Sequence, residues 1–306
     1  MFKHLAIVIA LLCTSKTCLS ANLIQEGGTP SPTLIKLFNT LQLEHDHTVE
    51  NLNKIAQEKF LRKPGQERWH MEDKYGEERD KILSILKELK VLEEIRPSLK
   101  HYNFIVVHGA TVEFMRKRLK FLDTLWSDGV RADKIVFLTG ERPLDPQQES
   151  EDVLFNQSYS SIPFRAGWSR PLKTPQTEAE GAKLAWDQVT SNNDLRQKDF
   201  QLISVPMIEE QGKMRRPPTA DTVSAWLKEE PSLLQDQPVK ILAISNNPYI
   251  PYQDQTVRAI FKKKGVDIEK ISLETVGPAA GQDDSIAAHL DNIARWLYTE
   301  VNAAKI

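Results

Sequence analysis

From residue 102 onward the chain alternates two hydrophobic rhythms, and that alternation restricts the fold more than any other feature. Short apolar runs rich in β-branched and aromatic residues fall at residues 104–107, 135–138, 200–205, 239–244 and 271–276. Between and after them come stretches with apolar residues at helical spacing: Phe114, Leu119, Leu122 and Leu125, then residues 178–189, 219–228 and 255–263, and finally Ile286, Leu290, Ile293, Leu297 and Val301. Runs of four to six apolar residues leave a strand without a solvated face, so both faces need cover. Helices supplied by the crossovers provide it, which predicts an α/β fold. The right-handed crossover rule reduces the choice to a doubly wound, mainly parallel, Rossmann-like sheet over residues 101–306.

A helical N-terminal region, residues 22–100, precedes that sheet. Leu34, Leu37, Phe38 and Leu41 share one stripe, as do Leu52, Ile55, Ala56 and Phe60. Pro64-Gly65 breaks the pattern, and a third helix from about residue 77 carries Ile82, Ile85, Leu86, Leu89 and Leu92 before Pro97 ends it. Residues 22–31, rich in Gly, Pro and Thr, read as loose.

Residues 1–21 have the make-up of a secretory signal peptide. Lys3 and His4 lead an unbroken apolar run, residues 5–12, and a small-residue stretch ends in Cys18-Leu19-Ser20-Ala21. The run is far below the roughly 20 residues that a membrane helix needs, so cleavage near Ser20 or Ala21 is expected. No other stretch is long enough for a permanent span. Both cysteines, Cys13 and Cys18, lie inside this segment. The mature chain then has no disulfide and no thiolate, which suits a periplasmic or secreted protein held by its core alone.

Charge and motifs exclude several classes. With 40 Lys and Arg against 42 Asp and Glu, the chain lacks the positive surplus of a dedicated nucleic-acid binder. It carries no Gly-x-Gly-x-x-Gly, Gly-Lys-Ser/Thr, Gly-x-Ser-x-Gly or His-Glu-x-x-His, so the dinucleotide, P-loop, serine-hydrolase and zincin readings lack their signatures. Glu44-His45-Asp46-His47 and the segment around His70 offer metal-ligand types. On a helix, residues two apart do not share a face, so a solvated charged helix is the expectation and no metal is assigned.

In a doubly wound sheet, ligands gather at the carboxyl ends of the strands. That rule nominates His108-Gly109-Ala110-Thr111, Thr139-Gly140-Glu141-Arg142, Ser204-Val205-Pro206 and Ser245-Asn246-Asn247. Gly109 and Gly140 would let a ligand approach the backbone, and Thr111 is also a plausible helix cap. Residues 143–175, with Phe155, Tyr159, Phe164, Arg165, Trp168 and Arg170, read as an ordered flap. Arg142, Arg165, Arg170, Arg215, Arg216 and Arg258 have the forked chemistry that binds phosphate or carboxylate. His108-Gly109-Ala110-Thr111 is similar to the Arg-His-Gly-x-Thr of histidine phosphatases, but Val107 stands where the arginine is needed.

The order of these segments resembles the YdcF/SanA/ElyC-like family of bacterial envelope proteins. Its Gly-rich turn after the first strand matches residues 106–111, and its second strand end matches residues 137–141. Its acidic helix start falls on Thr177-Glu178-Ala179-Glu180, its Thr-containing helix start on residues 219–222 with Thr222, and its last strand and following helix on residues 244–247 and Arg258-Ala259. The family's histidine after the last strand has no counterpart here, and Arg215-Arg216-Pro217-Pro218 replaces its glutamate. The resemblance spans about residues 102–264 and implies a site for a small polar or phosphorylated ligand in a protein of the cell envelope.

Two function classes follow. In one, the domain binds a small anionic ligand, phosphorylated, nucleotide-like or a cell-wall precursor, at the strand ends, while the N-terminal helices meet an envelope partner. In the other it is a periplasmic hydrolase or transferase with Glu141 or Glu178 as general base. The sequence names no cofactor.

Overall fold

Each apolar run of the sequence becomes a strand, and each amphipathic stretch becomes a helix laid against it. The computed structural model describes residues 22–303 apart from 199, 236, 282 and 283; the expected signal peptide lies outside the described residues. Three helices come first, α1 (Pro32–Thr40), α2 (Val49–Lys59) and α3 (Arg79–Glu88). Strand β1 (His101–His108) leads through α4 (Val112–Ser127) to β2 (Arg131–Gly140). A long connection holding the short α5 (Glu151–Phe155) reaches α6 (Glu178–Val189), the single turn α7 (Asn193–Arg196) and β3 (Phe200–Val205). A hairpin, β4 (Ile208–Glu210) and β5 (Lys213–Arg215), precedes α8 (Thr219–Glu229), β6 (Val239–Ile244), α9 (Ile250–Lys263), β7 (Ile271–Val276) and α10 (Ile286–Ala303).

The five long strands form one all-parallel sheet in the order β3-β2-β1-β6-β7. The chain builds outward from β1 to β3, then returns to the other flank of β1 with β6. The strand order therefore reverses between β1 and β6, the place where α/β sheets open a crevice. Register brings the carboxyl ends together: Val107 pairs with Ile244, Ile244 with Val276, His108 with Leu138 and Gly140 with Val205.

Side chains alternate across the sheet with period two. Ile105, Val107, Ile135, Phe137, Leu242 and Ile244 pack under α4 and α6 with Leu119, Leu122 and Trp186. Phe104, Val106, Val136, Leu138, Ile241 and Ala243 pack under α8 and α9 with Trp226 and Phe261. A third core joins the N-terminal helices to α10: Leu34, Phe38, Leu52, Ile85 and Leu89 pack against Leu290, Ile293, Trp296 and Leu297. None of the described helices is long and apolar enough to cross a membrane.

Three details depart from expectation. The Gly/Pro/Thr-rich residues 22–31 are pinned rather than loose: Leu23 is fully buried, its carbonyl accepts from Ser31 N at 2.8 Å, and Gln25 N donates to Thr29 O at 2.8 Å. His45 and His47 lie in the connection between α1 and α2, not on a helix, and His47 has φ 64. The hairpin β4–β5 carries no hydrophobic signal because its strands are largely exposed; its Gln211-Gly212 turn, with φ 52 and 74, is the two-residue type that matches strand twist.

Candidate functional site

The tips of β1, β2 and β6 carry the nominated turns, and arginines from four different segments converge on them. Arg118 enters from α4. Its side chain is buried, its Nη1 donates to the carbonyls of His108 (2.7 Å) and Gly109 (2.9 Å), and its Nε donates to Asn246 Oδ1 at 2.8 Å. This one guanidinium therefore ties the end of β1 to the end of β6 across the point where strand order reverses. It forms no ion pair among the described residues. Burial pulls its pKa down to about 10, Arg68 adds to the effect, and Tyr249 and Glu178 oppose it, so it stays charged at neutral pH.

Arg142 follows β2 and serves two carboxylates. Its Nη1 and Nη2 meet Glu149 at 2.7 and 3.1 Å, its Nε meets Glu178 Oε2 at 2.7 Å, and its Nη2 also donates to Ala110 O. Glu149 is further satisfied by the amides of Val112 and Asp145. Glu178, at the first position of α6, has less: Arg142 and a long 3.5 Å bond from Gly140 N. Burial pushes the Glu178 carboxyl up, and a guanidinium shared with Glu149 only partly offsets that. Glu178 is thus the carboxyl here whose protonated form burial favours.

The other arginines come from outside the sheet. Arg68 sits on a short 3₁₀ turn of the N-terminal region, with its guanidinium 4.4 Å from the Tyr249 ring centre and its Nε donating to Asp291 of α10 at 3.2 Å. Burial opposes its charge, and Tyr249 and Asp291 more than restore it. Arg216, just after β5, reaches Glu67 at 3.3 Å; burial lowers its pKa, and Arg68 and Arg142 add to that against Glu67. Arg62 behind them is drawn down to about 10 by burial, then by Arg68, Arg216 and Arg295. Asp291 binds Arg68, Arg295 and the Arg62 amide; burial would raise its carboxyl, but the bonds from Arg295 hold it low. Six guanidinium groups thus gather around four carboxylates: Glu67, Glu149, Glu178 and Asp291. Arg68 and Arg216 retain 28% and 37% side-chain exposure, so part of the surplus charge reaches solvent.

The remaining nominated residues divide. Asn246 and Asn247 are buried at the β6 tip: Asn246 receives Arg118, while Asn247 donates to the carbonyls of Lys90 and Glu93 and clamps the turn to the N-terminal region. Ser245 and Thr139 are fully buried and bond the backbone of Asn246 and Ile203. His108 is buried with an unpartnered Nε2, and burial, then Arg118, drive its pKa down to about 3. Thr222 lies in the first turn of α8 and donates to Thr219 O.

Several positions fall outside the cluster or act differently than expected. Glu141 is exposed and, among the described residues, accepts from the Ser204 hydroxyl alone. Arg258 lies two turns down α9, bound to Asp254 and Leu273 O, away from the strand tips. Thr111 starts α4 but makes no cap bond with its side chain; Glu149 takes the Val112 amide instead. The glycines admit protein rather than ligand: a Cβ on Gly109 would lie 2.0 Å from Glu178 Oε1, and one on Gly140 would lie 2.7 Å from Pro217 Cγ. In the 143–175 connection, Arg165 binds Asp187, Arg170 stacks 4.0 Å over Phe155, and Phe164 lies against Arg116, so it packs on α4 and α6. Arg215 is held by Glu210 and Asp221 at the surface.

Arg68, Arg118, Tyr249 and Asp291 had not been nominated. Arg118 left a trace, because it falls four residues after Phe114 and four before Leu122, on the apolar stripe of its helix. Arg68 left none, since it lies between helix breakers with no periodicity around it. No group of three or more potential ligands among the described residues is arranged to hold a metal ion. Set against protein-family models, curated proteins and solved structures, the chain matches none of them.

Proposed function

We propose that the chain is an exported, YdcF-like envelope protein that binds a small anionic ligand in the crevice at the carboxyl ends of β1, β2 and β6. The observation that carries this reading is Arg118. It is a buried guanidinium without a carboxylate partner among the described residues, and it stands beside Arg68, Arg142 and Arg216. Uncompensated buried charge is costly, and a bound anion offsets that cost. Forked donors favour phosphate or carboxylate over a simple halide. A phosphorylated, nucleotide-like or cell-wall precursor ligand supplies such a group, and the part-exposed Arg68 and Arg216, although each already has a carboxylate partner, are the ones solvent can reach.

A second reading, a hydrolase or transferase for a phosphorylated or glycosylated substrate, draws on Glu178. A carboxyl with a raised pKa among anion-binding groups has the properties of a general acid. The test is a thermal-shift screen of mature protein with inorganic phosphate, pyrophosphate, nucleotides, sugar phosphates and cell-wall precursors. A ligand that binds only the folded form raises the melting temperature once its concentration exceeds its dissociation constant. A shift that Arg216→Ala abolishes supports the binding reading, and turnover that Glu178→Gln abolishes supports the second. No shift with any member of the panel overturns both.

A further inference from the structure

We propose that Glu300 is the docking group for a new chain terminus: cleavage beside Ser20 or Ala21 creates an α-ammonium group that pairs with the Glu300 carboxylate and fastens the start of the mature chain to α10. The proposal rests on the export reading and adds a structural purpose to the cut.

Glu300 lies one turn beyond Trp296 on α10 and is only 9% exposed. Its Oε1 accepts from Leu23 N at 3.3 Å and its Oε2 from Ile24 N at 2.9 Å. No lysine, arginine or histidine among the described residues forms an ion pair with it. Such a carboxylate is anomalous, because buried charges are ordinarily paired. Burial accordingly pushes it up to about 7, with the Ile24 and Leu23 amides opposing. Every other carboxylate this deeply buried that the described helices supply has a cationic partner: Asp291 has Arg68 and Arg295, Asp123 has Lys120, and Asp254 has Arg258.

The missing cation has an obvious source in the chain direction. Asn22 is exposed and Leu23 is fully buried, so the backbone passes from solvent into the core at the carboxylate itself. A chain beginning at Asn22 places its amino nitrogen one residue, about 3.8 Å along the backbone, before an amide that already touches Glu300. A chain beginning at Ala21 places it one residue further. Hydrolysis is balanced by one water: the hydroxyl goes to the acyl carbon of the departing leader, and the amide nitrogen takes the proton. The amine so formed accepts one more at neutral pH, since its ordinary pKa is about 7.7–8.0. The catalyst is a signal-type peptidase of the exporting cell. Before cleavage that nitrogen is a neutral amide and offers Glu300 no charge.

Two measurements decide this. Mass spectrometry of the exported protein is expected to find Ala21 or Asn22 as its first residue; an uncut chain, or a cut beyond Ile24, overturns the maturation step and the export reading with it. Separately, purified protein beginning at Asn22 is compared at pH 7 with the same chain acetylated at that amine. The free amine is expected to melt several degrees higher, and Glu300→Gln is expected to remove the difference. Equal melting, or a difference that survives Glu300→Gln, overturns the pairing even if the cut is correct. Should Glu300→Gln not fold, differential acylation of the terminal amine reads the same contact. A terminal pKa raised above the ordinary value supports the pairing, and an ordinary one overturns it.

Discussion

The crevice and the N-terminal anchor are both built around buried carboxyl groups, yet their charge surroundings are opposite. At the strand tips, Glu178 sits among Arg142, Arg118, Arg68 and Arg216, and positive charge is in excess. At the far end of α10, Glu300 has two backbone amides and, among the described residues, no cationic partner. A raised carboxyl pKa arises in both, so the shift alone does not distinguish a ligand site from a docking point. The sign of the surrounding charge does: it is why the proposed ligand of the first region is an anion and the proposed partner of the second is a cation.

The sharpest way to break this contrast is Arg118→Met. It keeps the apolar stem and removes the donors that join His108 and Gly109 to Asn246, leaving buried carbonyls unpaired. A loss on the order of 3 kcal/mol is expected by chemical denaturation, the range for hydrogen bonds from a charged group. Unchanged stability would mean that the β1 and β6 tips do not need the guanidinium. Next comes Gly109→Ala, whose Cβ meets Glu178 Oε1 at 2.0 Å and the Leu138 carbonyl at 2.8 Å. Overpacking of this kind costs about 1–3 kcal/mol, and the displaced Glu178 would also lower ligand affinity.

The two regions differ again in their response to pH. His108 has its pKa depressed to about 3 from 6.5, so the unfolded chain binds more protons between those values. Stability that is present above pH 6.5 is lost as pH falls through that window. Glu300 works the other way before its amine is available: its folded value near 7 stands above 4.5, so its contribution is full below pH 4.5 and lost as pH rises through 7. His108→Gln should flatten the acid limb of a stability profile, and Glu300→Gln in a chain retaining residues before Ala21 should flatten the limb between pH 4.5 and 7. An unaltered profile in either variant would contradict the assignment. The smallest stability effect is expected at Arg216→Ala, within about 0.5 kcal/mol for a part-exposed residue, with ligand affinity falling about tenfold or more by calorimetry.

These regions also differ in how far they could be read in advance. The runs at 200–205, 239–244 and 271–276 became β3, β6 and β7 with the same bounds, because their apolar residues pack under the helices, while Gln201, Ser272 and Glu274 are tolerated on the two outer strands. Arg142, Glu178 and Asn246 were legible as strand-end or helix-start positions. Arg118 was half legible, as a charged residue on an apolar stripe. Arg68 was not, since its neighbours in the crevice, Tyr249 and Asp291, stand far along the chain.

Hydrophobic periodicity is a local property, and through it the amino-acid order dictated which segments are strands, which are helices and that the sheet is parallel. Long-range closure settled which charges meet. It brought Arg68 to Asp291 across 223 positions, and Leu23 to Glu300 across 277. Coulomb energy and desolvation depend on distances in space, and these exist only after the cores have packed.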